Sequence, residues 1–346
     1  MFPMTDDIQD RLQACCDRVF PGRLAPQVRD VTNITAGWES ELYSFMLEHG
    51  PDGQRQSENL ILRLYPGDGA ETKSAHEFHS LKRLHQAGYP VPRVHVLERE
   101  NSTLGLPFVI MERIEGQVML PLLSASTGED QERLLAQFCE LFVQLHDLDW
   151  RRVAETTVVP AGDPYAFVDR WIRNAHASLK RFPDTGLLPA LEWLEKQRDQ
   201  LPCPKPSPVH QDFHPANVIL RADGKAVVID WTGFDISDSR FDLGWTLMLV
   251  YAYAGAELRN RILQDYERLA GAQVEKIAPF EVFDCLRRLL DLTVSLQQGA
   301  GRRGMRPEAL QMMKQDAAAH KRVYDLMLAR TGLLLPEVER LLASFS

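Results

Sequence analysis

At 346 residues the chain is long enough for two lobes, and 45% apolar against 25% charged residues is the balance of a soluble globular protein. A net charge of -9 excludes a general nucleic-acid binder, because the Lys/Arg surplus that neutralises phosphates is missing. Cys15, Cys16, Cys139, Cys203 and Cys285 form no CxxC pair, which excludes a zinc ribbon or disulfide framework and reads as reduced cytosolic thiols.

The opening MFPMTDDIQD is acidic and lacks an apolar core, so it reads as a solvated helix start and not as a secretory signal. Strand-like stretches follow, one with Leu42, Phe45 and Leu47 and a second in ENLILRL, which a Gly turn closes. Ala75, Phe78, Leu81 and Leu84 recur at steps of three and predict an amphipathic helix between Glu71 and Gly88. YPVPRVHVLE and LPFVIMERIEG supply further strands, the last ending at Gly116.

Beyond Gly116 the pattern turns helical. Leu134, Phe138, Leu141, Phe142 and Leu145 share one face, and two more helices are predicted over 163–179 and 189–201. The Pro-rich LPCPKPSP is a connector no helix can occupy. Next come two short strands in NVILRADGKAVVIDW, joined as a hairpin around Asp223-Gly224. The rest, from Asp242 on, is helical; its longest uncharged stretch, 243–256, is too short to span a bilayer. The expectation is an α+β protein of two parts, a β-rich lobe over 1–115 and a mainly helical lobe over 116–346, with no membrane or nucleic-acid partner and a cytoplasmic location.

The hairpin gives HQDFHPAN its context. Asp212 and Asn217 precede its first strand and Asp230 ends its second, so pairing brings Asn217 and Asp230 to the same end. Two oxygen-bearing side chains, an amide and a carboxylate, beside a second carboxylate suit a hard cation next to a potential base, the requirement of phosphoryl transfer. Two plainer readings stand beside it: Asp212 and Asn217 as turn formers around Pro215, or a zinc site from His210, Asp212 and His214. His210 reads as a structural brace. Trp245, Tyr251 and Tyr253 read as helix core, and Asp238 as a surface turn or an acceptor-orienting group. Asp242 reads as a helix cap or a hydrogen-bond partner of the loop.

The H-x-D-x-x-x-x-N of residues 210–217, followed by Ile229-Asp230-Trp231, resembles the catalytic and metal motifs of the aminoglycoside phosphotransferase and choline kinase family, which has a protein-kinase-like fold. The resemblance implies Asp212 as catalytic base and Asn217 and Asp230 as Mg²⁺ ligands. ITAGWESELYSF is similar to the family's phosphate-covering loop, with Gly37 and Ser40. Arg63 falls where the family has a basic residue on the third strand, Glu77 where it has the acidic partner, and the main chain near Glu112 and Ile114 where it binds the base of the nucleotide. Three residues depart from the common pattern: the loop has one clear glycine, Arg63 replaces Lys, and Gln211 stands where glycine is common. Residues 231–242 hold no A-P-E signature and leave little room for the activation segment of a protein kinase. The resemblance therefore implies an ATP- or GTP-dependent, Mg²⁺-assisted kinase acting on the hydroxyl of a small molecule. A protein kinase or a nucleotide-binding pseudokinase is the alternative.

Overall fold

The structure is a computed structural model and describes residues 5–34, 40–99, 103–155, 162–299 and 309–344. The chain forms two units: Met1–Gln117 with Ile219–Thr232, and Val118–Val218 with Gly233–Ser346. The hairpin around Asp223-Gly224, expected at the start of the helical lobe, thus counts with the strand-rich unit.

The first unit begins with α1 (Thr5–Val19), β1 (Gln27–Asn33), β2 (Glu41–His49) and β3 (Gln56–Leu64). It continues with α2 (Ala70–Gln86), β4 (Val94–Glu98), β5 (Phe108–Glu112) and β6 (Gln117–Val118). β1 to β5 form an antiparallel sheet of order β1-β2-β3-β5-β4. Strand side chains alternate between faces. Leu60, Leu62 and Leu64 join Phe108 and Ile110 in a core with Ile8, Leu12, Cys15 and Cys16 of α1. The acidic start is therefore an amphipathic helix whose buried stripe covers the sheet, which its charges concealed.

Arg63, between Leu62 and Leu64, points to the opposite face. The buried residues of α2 are Ala70, Ser74, Glu77, Ser80, Leu81 and Leu84, whereas Ala75 and Phe78 are half-buried. The stripe is rotated from the apolar one expected, because this helix turns small side chains and Glu77 inward. Gly116 is needed before β6: a Cβ there would collide with the main-chain carbonyl of Leu220.

The second unit opens with α3 (Met119–Ala125), α4 (Gly128–Asp147), α5 (Ala166–Arg181), α6 (Leu188–Gln197) and β7 (Pro206–Val209). The end of the expected connector is thus a strand. The chain then runs through β8 (Val218–Leu220) and β9 (Ala226–Val228), closed by the Arg221 N–H on the Lys225 carbonyl at 2.8 Å. β10 (Asp235–Asp238) pairs antiparallel with β7 in a two-stranded ribbon, whose open edges tolerate Pro206 and Pro208. Six helices complete the unit: α7 (Ser239–Ala254), α8 (Ala256–Ala270), α9 (Ile277–Gln298), α10 (Ala309–Gln315), α11 (Ala317–Thr331) and α12 (Pro336–Ala343). α7 is buried on nearly all sides and packs on α8, α9 and α11. Among the described residues no helix is long and apolar enough to cross a membrane, and all five cysteines are free thiols.

Candidate active site

In the first unit the site is built around one cation. Arg63 is 8% exposed and pairs in register with Leu42 and Val109. Its Nε donates to Ser40 Oγ at 2.9 Å, Nη1 donates to Glu77 Oε1 at 2.9 Å, and Nη1 and Nη2 both donate to Asp230 Oδ1 at 3.0 Å. Glu77 is 1% exposed, and its other oxygen accepts the Tyr65 hydroxyl. Burial opposes the charge of Arg63, but the carboxylates of Asp230 and Glu77 outweigh it and hold the guanidinium pKa above its ordinary value. Burial also lifts Glu77 above the usual carboxylate range, against the pull of Arg63. Arginine in place of lysine suits this position, because one planar fork serves a hydroxyl and two carboxylates at once.

Asp230 sits at φ +66°, in the left-handed region that costs a non-glycine residue strain. Its Oδ1 takes both Arg63 nitrogens and the Thr232 hydroxyl, while Oδ2 has no partner among the described residues. At the end of β5 the Glu112 N–H is committed to the Arg93 carbonyl at 2.8 Å, and the Glu112 side chain accepts from Arg221 at 2.6 Å. The Arg113 N–H is committed to Asn59, so among the described residues Ile114 is the position here with an open N–H. Gly37 lies outside the described residues. Ser40 Oγ is engaged in orienting Arg63.

In the second unit the site is a suspended loop. Asp242 accepts the backbone N–H of His210 on Oδ2 and that of Gln211 on Oδ1, each at 2.7 Å. It is held in turn by His146 Nε2 at 3.3 Å, whose Nδ1 meets the Tyr266 hydroxyl at 2.7 Å. Of the two readings of Asp242 the loop contact is the correct one. The cap of α7 is Asp238, which accepts from the Arg240 N–H at 3.0 Å and pairs with the Arg240 side chain at 2.6 Å. Asp238 is fully buried, so it is neither a surface turn nor an acceptor ligand: its charge is spent on Arg240. Phe213, also buried, stacks on Phe142 at 4.1 Å and anchors the loop from below.

Asp212 emerges from this support with its side chain 40% exposed. Trp245 Nε1 donates to Oδ1 at 2.8 Å, Asn217 Nδ2 donates to Oδ2 at 3.2 Å, and His214 Nε2 stands 3.4 Å from Oδ1. His210 Nδ1 accepts the Asp212 N–H at 3.2 Å, in keeping with a brace. Burial alone would raise the Asp212 pKa, but His214, His210 and the Trp245 indole favour the ionised form and bring it to about 2. The carboxylate is thus ionised at every physiological pH. It is a weak base and a well-oriented hydrogen-bond acceptor. Sequence reasoning places Trp245 in the helix core and gives His146 no fixing role, so it misses both as site residues. No local spacing announces either, since each acts over a sequence distance of 33 and 96 residues respectively.

Each unit offers one uncommitted hard oxygen. Asn217 spends its Nδ2 on the Asp212 carbonyl and carboxylate, which leaves Oδ1 open, and Asp230 keeps Oδ2. Among the described residues no three His, Cys, Asp or Glu side chains come together to hold a metal, so the zinc reading of His210, Asp212 and His214 lapses. Single carboxylate and amide oxygens suit Mg²⁺, which keeps several waters and draws its remaining ligands from phosphates.

A five-stranded unit with a buried Arg–Glu pair, and a helical unit carrying an H-x-D-x-x-x-x-N loop, are the parts of a kinase-like phosphotransferase. The model of the Phosphotransferase enzyme family matches residues 30–280, well over half the chain, and the protein belongs to that family. It is 28% identical over 235 residues to mouse acyl-CoA dehydrogenase family member 10, covering 63% of this chain and 21% of that protein. The chain therefore spans about a fifth of that curated relative. A thermostable mutant of aminoglycoside phosphotransferase APH(4)-Ia, solved as a ternary complex with AMP-PNP and hygromycin B, aligns with TM-score 0.61 and 17% identity, covering 94% of this chain and 99% of that one. A choline/ethanolamine kinase family protein from Mesorhizobium loti aligns with TM-score 0.54 and 17% identity, covering 99% of each. At these identities the two structures establish a shared fold.

Proposed function

We infer that this chain transfers the γ-phosphoryl group of ATP to a hydroxyl of a small molecule. The observation that carries the reading is Asp212: an ionised carboxylate held by Trp245, Asn217 and His214 on a loop suspended from Asp242. The AMP-PNP of the APH(4)-Ia complex supports ATP over GTP. The short segment from Asp230 to the start of α7 at Ser239 supports a small acceptor over a protein substrate. Five free cysteines are consistent with a cytoplasmic location.

In this reading the acceptor O–P bond forms as the bond from Pγ to the departing ADP oxygen breaks. Asp212 accepts a hydrogen bond from the acceptor hydroxyl and aligns its lone pair. With a pKa of about 2 it takes the proton late, when the oxygen is already largely bonded to phosphorus. Arg63 contributes a cation to the phosphates, and Glu77 keeps that guanidinium at its post. Mg²⁺, which Asn217 Oδ1 and Asp230 Oδ2 are suited to hold, would neutralise phosphate charge. Ile114, with its open N–H, is the partner we assign to the adenine edge next to Glu112; Gly37 and Ser40 belong by resemblance to the phosphate loop.

The test is acceptor-dependent ADP release over a panel of hydroxylated metabolites and antibiotics, with Asp212→Asn in parallel. The substitution keeps the shape but loses the charge and one of the two accepted hydrogen bonds, and should lower kcat by roughly 10²–10⁴, with ATP affinity little changed. Turnover that survives it would remove Asp212 from the mechanism. The acid limb of the wild-type rate profile should not reflect Asp212, which protonates only near pH 2.

A further inference from the structure

A cavity of about 270 Å³ lies within the second unit, walled by α5, α7, α9 and the loop residue next to Asp212. Its apolar side includes Trp171 and Phe241; its polar side is Arg170, Gln211, Asp284 and Arg287. These four are not equally committed. Arg170 is spent on the Asp235 carboxylate at 2.5 Å and the Ile236 carbonyl at 3.3 Å. Arg287 lies over the Trp245 ring, 4.1 Å from its centroid, and donates Nη1 to the Gln211 carbonyl at 3.1 Å. Its Nε and Nη2, the edge that grips a carboxylate side-on, make no hydrogen bond among the described residues, and Asp284 acts on Arg287 only through space.

Two further residues of the cavity lining are unusual. Asp284 is 2% exposed, and its Oδ2 has no hydrogen-bond partner. Gly244 makes room for it, since a Cβ there would lie 2.7 Å from that oxygen. Burial drives the Asp284 pKa well above the usual range despite Arg287, and Asp242 and Glu281 push the same way. A raised pKa weakens the charge that Asp284 can set against Arg287. Gln211 adopts φ +64°, a conformation suited to glycine, yet carries an amide with no partner among the described residues. Its main chain is pinned on both sides, by Asp242 and by Arg287. Such strain at a site-lining residue points to a use for the side chain.

The geometry points to this cavity as the acceptor subsite, and to an acceptor that bears a carboxylate: the anion on the open edge of Arg287 with the Gln211 amide as a second donor, the apolar body against Trp171 and Phe241, and the hydroxyl toward Asp212. This assignment rests on the phosphotransfer reading of Asp212. An amine-bearing acceptor would instead set a second cation against Arg287.

The experiment compares three acceptors on one carbon skeleton with the same hydroxyl: a hydroxyalkanoic acid, its methyl ester and the corresponding amino alcohol. Several chain lengths are tried, with kcat/KM and calorimetric binding as readouts. The acid should exceed both others by about 10–100-fold, the range of a charged hydrogen-bonded contact. Arg287→Met should lower the acid-to-ester ratio at least about tenfold. Gln211→Gly, which suits the backbone angle and will fold, should lower that ratio several-fold. A better ester or amino alcohol, or a ratio unmoved in both variants, overturns the subsite and leaves the kinase reading standing. If nothing is phosphorylated in any arm, saturable acid binding that Arg287→Met abolishes shows an anion site and overturns its role as the acceptor subsite. Absence of acid binding overturns the subsite itself.

Discussion

Arg63 and Arg287 are the same residue type used in opposite ways. Arg63 is saturated: two carboxylates and a hydroxyl take its nitrogens, and its own carboxylates outweigh the cost of burial. Arg287 rests on an indole face, donates to one carbonyl, and finds no carboxylate among the described residues. A saturated cation is a fixed part of the fold until a ligand takes over one of its partners, whereas an unsaturated one keeps an edge open for an anion. The contrast lies in the neighbours. Glu77 is buried beside a cation and a tyrosine hydroxyl, whereas Asp284 is buried with one oxygen unpartnered and makes no hydrogen bond to Arg287 among the described residues.

Breaking the saturated side should have the larger effect. Arg63→Met leaves the buried carboxylate of Glu77 without its cation and should cost about 3–5 kcal/mol in urea unfolding. Adding Glu77→Leu should recover part of that loss, because an unpaired buried charge is the main penalty. If the double variant is no better than the single one, the saturated-pair account is wrong. The residue after Arg287 provides an intermediate case. Burial first, and then the charge of Arg288, push buried His320 down to about 4, against the Met313 carbonyl and Asp316. His320 stays neutral in the fold while the unfolded chain takes up a proton below about 6.5, so stability is full above that pH and declines as pH falls toward 4. His320→Gln should reduce this acid-side loss by on the order of 2–3 kcal/mol, read as the pH dependence of the urea midpoint. Arg287→Met should shift the midpoint least, by under about 1 kcal/mol, because Arg287 makes no ion pair among the described residues. A loss as large as that of Arg63→Met would erase the distinction.

Much of the chemistry is legible in the amino-acid sequence. Asp212, Asn217 and Asp230 sit at loop and hairpin positions whose spacing is local. Arg63 on an otherwise apolar strand announces a partner, and Glu77 on the next helix is that partner. Hairpin and helix existence follow from turn residues and period. The misreadings share a cause. The buried stripe of α1 is hidden by its charges, that of α2 includes two serines and a glutamate, and Asp238, read as a surface turn or an acceptor-orienting group, is a buried helix cap.

What the sequence alone determined is what short-range chemistry determines: the α+β order of elements, the H-x-D-x-x-x-x-N loop with its oxygen-bearing side chains, and the family they imply. Tertiary structure alone decided which groups are spoken for. Trp245, Asp242 and His146 reach the loop, and Arg287 and Asp284 keep open atoms, because α4, α7 and α9 pack as they do. Spacing along a chain specifies which face of an element a side chain occupies. Whether that side chain then meets a partner depends on contacts between segments dozens of residues apart, and on that the availability of a group for a ligand turns.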